Sequence, residues 1–182
     1  MKKVCLILFI GLFIFQDNVY SSDLILNSLK EGKKIIFIRH AIAPGNGDPD
    51  NFNINDCETQ RNLSEEGIEQ SKNIGIFFEE NKIKIDKILS SEWCRCKDTA
   101  KIAFNNFETF DSLNSFYDEK FAQNEDIQIQ NLKKYIKSWK SDKNLILVTH
   151  FVVISSILNV GISSGEMIIS DKNYNIIANK IF

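Results

Sequence analysis

The sequence predicts an α/β fold with a mostly parallel sheet covered by helices on both faces, and three observations carry that expectation. Two short runs, "KKIIFI" (33–38) and "NLILVT" (144–149), are largely apolar without alternation, as strands buried on both faces read. Amphipathic stretches of helical length lie between and after them, so strands and helices alternate along the chain. Each run leads into a histidine, His40 and His150, and the chain has no other histidine. In open sheets of this kind ligands bind at the carboxyl ends of the strands, where both imidazoles fall.

At 182 residues the chain suits one domain with a substantial core. Charged residues at 25% and apolar residues at 43% fit a globular chain rather than a disordered one. A net charge of −2 leaves no basic footprint, so nucleic acid is not an expected partner. Any anion site must therefore be local.

The first residues read as a targeting segment. "MKK" is a basic start, "VCLILFIGLFIF" is an apolar stretch, and "QDNVYS" places Val19 and Ser21 at the −3 and −1 positions of a signal-peptidase site. Residues 1–21 are expected to be a signal peptide and 22–182 the folded domain, exported to the periplasm or beyond the cell. The apolar run is shorter than the roughly twenty residues a membrane span needs, so no stable span is expected. An uncleaved interfacial anchor is the alternative. Cys5 sits at the start of the apolar stretch rather than after it and cannot be a lipoprotein acylation cysteine.

The elements follow in order. After the strand at 33–38 comes a polar loop of roughly two dozen residues, long enough to suggest a function of its own. Ser64 then caps a helix whose first turn holds Glu65 and Glu66, negative charge at the positive end of the dipole. Ile68, Ser71, Gly75 and Phe78 are expected to face the sheet. "DKILS" (86–90) is the second strand, and Ser90 or Ser91 is expected to cap the helix "EWCRCKDTAKIAF". "ETFDSL" (108–113) is a third strand candidate. Residues 125–140 are expected to form a helix with Ile127, Leu132, Ile136 and Trp139 near one face. After the strand at 144–149 a helix starts near Phe151, and "EMIIS" and "NIIANKIF" close the chain as strands, the last near a sheet edge.

The chemistry comes from four side chains. Arg39 and His40 share one strand end, and Arg95 begins a helix four residues before Thr99, on the same face. Two guanidinium forks can grip phosphoryl oxygens bidentately. A neutral imidazole can attack phosphorus and form a phosphohistidine that water later hydrolyses. His150 can then donate to an oxygen of the pentacoordinate state. Taken singly, a strand-end arginine meets solvent and a strand-end histidine is structural; the joint pattern is what points to a phosphate site. No metal and no cofactor are needed for this clamp.

Beyond Cys5, the chain holds Cys57, Cys94 and Cys96. In an oxidising compartment Cys57 with Cys94 or Cys96 would tie the loop after the first strand to the element carrying Arg95. Three buried thiols are the rival reading, and zinc lacks an obvious fourth ligand.

"FIRHA", "SSEWCRCKDTA" and "LVTH" resemble the three signature pieces of the histidine phosphatase superfamily, also called phosphoglycerate mutase-like, and "RNLSEEGIEQSKNIG" resembles its Leu-Thr-x-x-Gly-x-x-Gln helix start. The resemblance implies a three-layer α/β/α sandwich, His40 as the phosphorylated nucleophile, and Arg39, Arg95 and His150 as the phosphate pocket. "RHAIAPGNGDP", "DCETQRNL" and "WCRC" are similar to a small exported subgroup, some members of which are linked to lipopolysaccharide phosphate groups. The implied function is a metal-independent exported phosphatase acting on a small phosphorylated substrate, such as an envelope sugar phosphate. A mutase that returns the phosphoryl group, and a non-catalytic phosphosugar-binding envelope protein, are the alternatives.

Mutase-branch relatives often carry a proton-donating glutamate where this chain has Ser115. A serine cannot protonate a leaving alkoxide at neutral pH, so Asp118 and Glu119 stand as candidate donors, against their reading as a solvated loop. Asn46 lies six residues after His40, where some relatives contact phosphate; an ordinary turn is the other reading. Arg61 either contacts substrate or pairs on the surface with Glu65 or Glu66.

Overall fold

The computed structural model describes the backbone from residue 17 to residue 182 and side chains from residue 22; the expected targeting segment, with Cys5, falls outside the described residues up to residue 16. A central six-stranded sheet holds, in chain order, β1 (Ile35–Arg39), β2 (Ile85–Ser90), β3 (Glu108–Thr109), β4 (Asn144–Thr149), β5 (Met167–Ser170) and β6 (Ile176–Lys180). Their order across the sheet is β3-β2-β4-β1-β5-β6. The strands from β3 to β1 pair in parallel, while β5 and β6 add antiparallel, so the sheet is mixed. A short chain segment links β5 to β6, which is the connection an antiparallel pair permits. β6 lies at the edge, as its sequence suggests.

The two-face burial read from the apolar runs is realised by alternation. Ile35 and Phe37 of β1 point with Leu145 and Leu147 of β4 into one core; Ile36 and Ile38 point with Ile146 and Val148 into the other. The first core is closed by α5 (Glu125–Ser138) and α6 (Phe151–Leu158), through Leu132, Ile136, Val153 and Ile154. The second is closed by α1 (Asp17–Glu31), α2 (Glu65–Glu80) and α3 (Cys94–Phe104), through Ile25, Leu29, Ile74, Phe78 and Ala100. This is a three-layer α/β/α sandwich.

Several local expectations change. The segment at 108–113 is a two-residue strand followed by a 3-10 turn, Asp111–Leu113. Ile68 on α2 is 39% exposed, and Gly67, Gln70, Ser71, Ile74 and Phe78 form the buried face instead. Ile127 on α5 is 55% exposed and its neighbour Gln128 turns inward, donating to the carbonyls of Asp111 and Asn114. Both differences arise because polar side chains find carbonyl partners inside, which hydropathy alone does not anticipate. α1 has no counterpart in the sequence expectations.

Ser64 caps α2, accepting from the Gly67 N–H at 3.2 Å. Gly67 packs on the loop after β1 so closely that a Cβ there would sit 2.1 Å from the Ile42 carbonyl oxygen. Gln70 completes the joint: its Oε1 accepts from Ile42 N at 3.0 Å. The start of α3 departs from expectation. Trp93 is its N-cap and makes no side-chain cap bond, while Ser91 accepts from Trp93 N just before the helix. The helix is capped from far away, by Gln60 Oε1 accepting from Cys94 N at 2.9 Å.

That cap is one of several fasteners on the loop between β1 and α2. Cys57 is joined to Cys94, which resolves the pairing in favour of Cys94, and Cys96 is a buried free thiol. Phe52 stacks on Trp93 with ring centroids 5.0 Å apart. Gly67→Ala is expected to lower stability by about 1–3 kcal/mol, since backbone must move to admit the methyl group. Gly161→Ala, where nothing lies within 4 Å of the added carbon, should change it by less than about 0.5 kcal/mol. Urea denaturation checks both; equal midpoints for the two variants would contradict the packing.

Candidate functional site

The register of the central strands builds the site. Arg39 pairs with Thr149 across β1 and β4, and the next residue on each strand is a histidine. The His40 N–H donates to the Thr149 carbonyl at 2.9 Å, extending the ladder to the imidazoles. Their ring centroids lie 5.5 Å apart, edge to face. Arg95 enters from the first turn of α3, and Arg39, His40, Arg61, Arg95 and His150 all line one cavity of about 160 Å³. The structure thus brings the four principal residues together.

His40 Nδ1 sits 2.8 Å from the Ala41 carbonyl oxygen. A carbonyl only accepts, so Nδ1 must carry the proton, and the Nε2 lone pair is left unprotonated. Thr99 holds Ala41 in place: its Oγ1 accepts from Ala41 N at 3.0 Å and donates to the Arg95 carbonyl at 2.7 Å. Burial, then the Arg95 charge, push the His40 imidazole from 6.5 down to about 3, with Arg39 and Arg61 adding to the effect. His40 is therefore a neutral base with a free lone pair at physiological pH.

His150 is held in the opposite tautomer. Its Nδ1 lies 3.5 Å from Arg95 Nη2, which only donates, so Nδ1 accepts and Nε2 carries the hydrogen. That Nε2–H meets Ser91 Oγ at 2.9 Å, and the Ser91 hydroxyl in turn donates to Asn114 Oδ1 at 3.1 Å. Burial, followed by the charges of Arg95 and its neighbours, holds His150 well below its ordinary value. Cys96 Sγ is 3.4 Å from the same Nε2, but burial raises its thiol to about 12, so it is no nucleophile.

The two principal arginines share a geometry. Arg95 Nη1 is gripped by Asp48 Oδ1 at 2.7 Å, and Arg39 Nη1 donates to the Ile162 carbonyl at 2.8 Å. In both, the buried Nε has no hydrogen-bond partner among the described residues. Nε and Nη2 share one edge of a guanidinium, so each arginine is anchored by Nη1 and keeps an edge of two parallel donors for an anion. Burial and mutual repulsion lower the pKa values of Arg39 and Arg61. Three guanidiniums against the carboxylates of Asp48 and Asp118 leave the cavity lining positive.

The remaining sequence candidates divide. Arg61 does not pair with Glu65 or Glu66; its guanidinium donates to the carbonyls of Gly47 and Ala43 and lines the cavity. Asn46 lines it too, donating to the Tyr117 hydroxyl at 3.0 Å. Asp118 lines it beside Gly47, whereas Glu119 is exposed in the first turn of α4 (Glu119–Ala122) and is not brought to it. Ser115 forms part of the wall. Sequence reasoning missed Asp48, Ser91 and Asn114. For Asp48 the signal was the "GNGDP" loop itself, where an aspartate before proline reads first as a turn residue. Among the described residues, no group of three or more His, Cys, Asp or Glu is placed to hold a metal ion, and no helix is long and apolar enough to cross a membrane.

Residues 35–113 match the family model described as histidine phosphatase superfamily (branch 1). The chain is 31% identical over 93 residues to the serine/threonine-protein phosphatase Pgam5, mitochondrial, of Drosophila willistoni, covering 51% of this chain and 29% of that protein. The Drosophila virilis protein of the same name is 30% identical with the same coverage, so the chain spans about 29% of the length of these relatives. Among solved structures, the protein histidine phosphatase SixA complexed with tungstate aligns with a TM-score of 0.54 at 12% identity, over 82% of this chain and 94% of that one. Phosphoglycerate mutase from Thermus thermophilus aligns with a TM-score of 0.59 at 13% identity, over 82% and 99%. At such identities the likeness is one of fold, and the fold is phosphoglycerate mutase-like.

The neutral imidazoles make stability depend on pH. Both histidines have folded pKa values below the unfolded value of 6.5, so the unfolded chain binds more protons in the window between them. Stability is therefore expected to fall as pH drops from about 6.5 toward 4.5, with a slope approaching about 1.4 kcal/mol per pH unit for each histidine. Urea midpoints across that range check this, and His40→Gln should roughly halve the slope. A flat profile in the unaltered protein would contradict the buried neutral state.

Proposed function

We infer that this chain, a member of the histidine phosphatase superfamily through residues 35–113, is a metal-independent phosphatase that works through a phosphohistidine at His40. The observation that carries the reading is the unprotonated His40 Nε2 sharing one small cavity with two guanidiniums whose Nε positions are unpaired. The Nε2 lone pair attacks phosphorus, the bond from phosphorus to the leaving oxygen breaks, and that oxygen departs with the electron pair. Arg39 and Arg95 meet the equatorial oxygens with their Nε–Nη2 edges. Water then attacks the phosphohistidine, the P–N bond breaks, and Nε2 recovers its lone pair as orthophosphate forms.

His150 carries its lone pair on Nδ1, so it donates from that nitrogen to a phosphoryl oxygen only after taking a proton there. A bound phosphoryl dianion favours that uptake, because it offsets the cationic surroundings that keep His150 neutral. Asp118 rather than Glu119 is the proposed donor to the leaving oxygen, a choice supported by Asp118 lining the cavity and Glu119 not. Leaving groups larger than the phosphoryl cavity have room in an adjoining groove of about 840 Å³ that shares Ser115 with it and is lined by Phe52, Trp93 and Lys120.

The substrate class proposed is a small phosphomonoester, with an envelope sugar phosphate as the physiological candidate. The relatives' names include phosphatases of serine/threonine-phosphorylated and histidine-phosphorylated proteins, so the chemistry they share is the phosphoryl group alone. Membership of the small exported subgroup rests on the likeness carried by "RHAIAPGNGDP", "DCETQRNL" and "WCRC"; export itself is proposed from the basic and apolar N-terminus and accords with the Cys57–Cys94 bond, which suits an oxidising compartment.

Purified protein is expected to release orthophosphate from an aryl phosphate without added metal and to form an acid-labile phosphoprotein, both lost in His40→Ala. A mutase would move the label between substrates with little orthophosphate release, and a binding protein would show ligand binding with neither signal. Asp118→Asn should reduce turnover of alkyl phosphates by about 100-fold and of aryl phosphates by less than about tenfold, because a good leaving group needs less protonation. Equal losses on both substrates would remove Asp118 from the proton-donor role.

A further inference from the structure

The Asp48 side chain is 1% exposed, which is unusual for a carboxylate in a surface loop. Its Oδ1 accepts from Arg95 Nη1 at 2.7 Å and from Arg61 N at 3.1 Å, and its Oδ2 accepts from Trp93 Nε1 at 3.0 Å. Burial pulls this carboxyl upward, and the Arg95 bond with the other donors outweighs it, leaving Asp48 ionised below its ordinary value. A buried ion pair with one partner removed is strongly destabilising, yet the intact pair is weak evidence of net stabilisation. The geometry matters more than the energy here.

A guanidinium can meet a phosphoryl group by its Nη1–Nη2 end or by its Nε–Nη2 edge. Asp48 occupies Nη1, which leaves the edge. Arg95 Nε is buried with no partner among the described residues, and Nη2 has only the long 3.5 Å approach to His150 Nδ1. Trp93 keeps Asp48 from rotating by holding its other oxygen, and Trp93 is itself fixed between Phe52 and the His150 ring. We propose that Asp48 is a positioning residue for phosphoryl binding, selecting the Nε–Nη2 edge of Arg95 as the one that faces the anion. The proposal rests on the phosphatase reading for its consequence in turnover, but it concerns oxyanion binding and stands apart from turnover.

Asp48 acts on the anion only through Arg95, so the test is a double-mutant cycle read by calorimetric binding of orthophosphate to the full protein. Asp48→Asn alone is expected to weaken orthophosphate about 10- to 100-fold, the loss of one charge-assisted constraint. Arg95→Lys, which has no edge to select, should weaken it at least as much. The double variant should bind no more weakly than Arg95→Lys alone, and Trp93→Phe should give a smaller loss in the same direction. A purely structural role would lower the urea midpoint equally in both backgrounds without this non-additivity. Losses that simply add, or an Asp48→Asn variant that binds orthophosphate as tightly as the unaltered protein, would overturn the proposal. Non-additive binding in a protein without hydrolysis would instead count against the phosphatase reading and leave Asp48 in its role.

Discussion

The site depends on one alignment, the register of β1 against β4. Arg39 faces Thr149, and the His40 N–H closes the ladder on the Thr149 carbonyl, so both imidazoles leave the sheet at the same level. A slip of one residue would exchange Ile36 and Ile38 with Ile35 and Phe37 and turn the strand end to the wrong face. Such a slip is resisted by two cores at once, because each strand buries alternate residues on opposite sides. The same apolar burial that holds the domain together therefore sets the distance between the histidines. No separate device is needed.

Around that fixed pair, the structure manages three guanidiniums in a space of about 160 Å³. Each is restrained by its own acceptor: Asp48 for Arg95, the Ile162 carbonyl for Arg39, and the Gly47 and Ala43 carbonyls for Arg61. Carbonyl oxygens restrain a guanidinium without cancelling its charge, so the cavity stays attractive to an anion. Burial first, and then the positive field, keep both imidazoles neutral, which preserves the lone pair on His40. Opposite tautomers follow from their partners, since the Ala41 carbonyl can only accept and the Arg95 guanidinium can only donate. The loop carrying Asp48 and Arg61 is in turn tied to α3 by Cys57–Cys94, Gln60 and Phe52, so cavity-lining groups from distant stretches of chain are fastened to one another.

The uninterrupted apolar character of residues 35–38 and 145–148 was enough, by itself, to imply strands buried on both faces, and their histidines implied a shared strand-end site. Ser64 was readable as a cap because its partner lies three residues away, within the reach of local geometry. Arg95 was readable because its helix begins just before it. What stayed hidden were particular interactions whose partners come from elsewhere: Gln60 capping α3, Gln128 turned inward, the choice of Cys94 over Cys96 by Cys57, and Asp48 gripping Arg95. Ser91, one of the two serines expected to cap α3, instead holds His150 Nε2, since its hydroxyl finds a partner 59 residues away. Layers, strand ends and the kinds of group that meet there are legible in residue order, because periodicity and residue chemistry are local properties. Tautomer, guanidinium edge and loop anchorage emerge from the packed fold alone, because they depend on which donors and acceptors come within hydrogen-bond reach when distant segments pack.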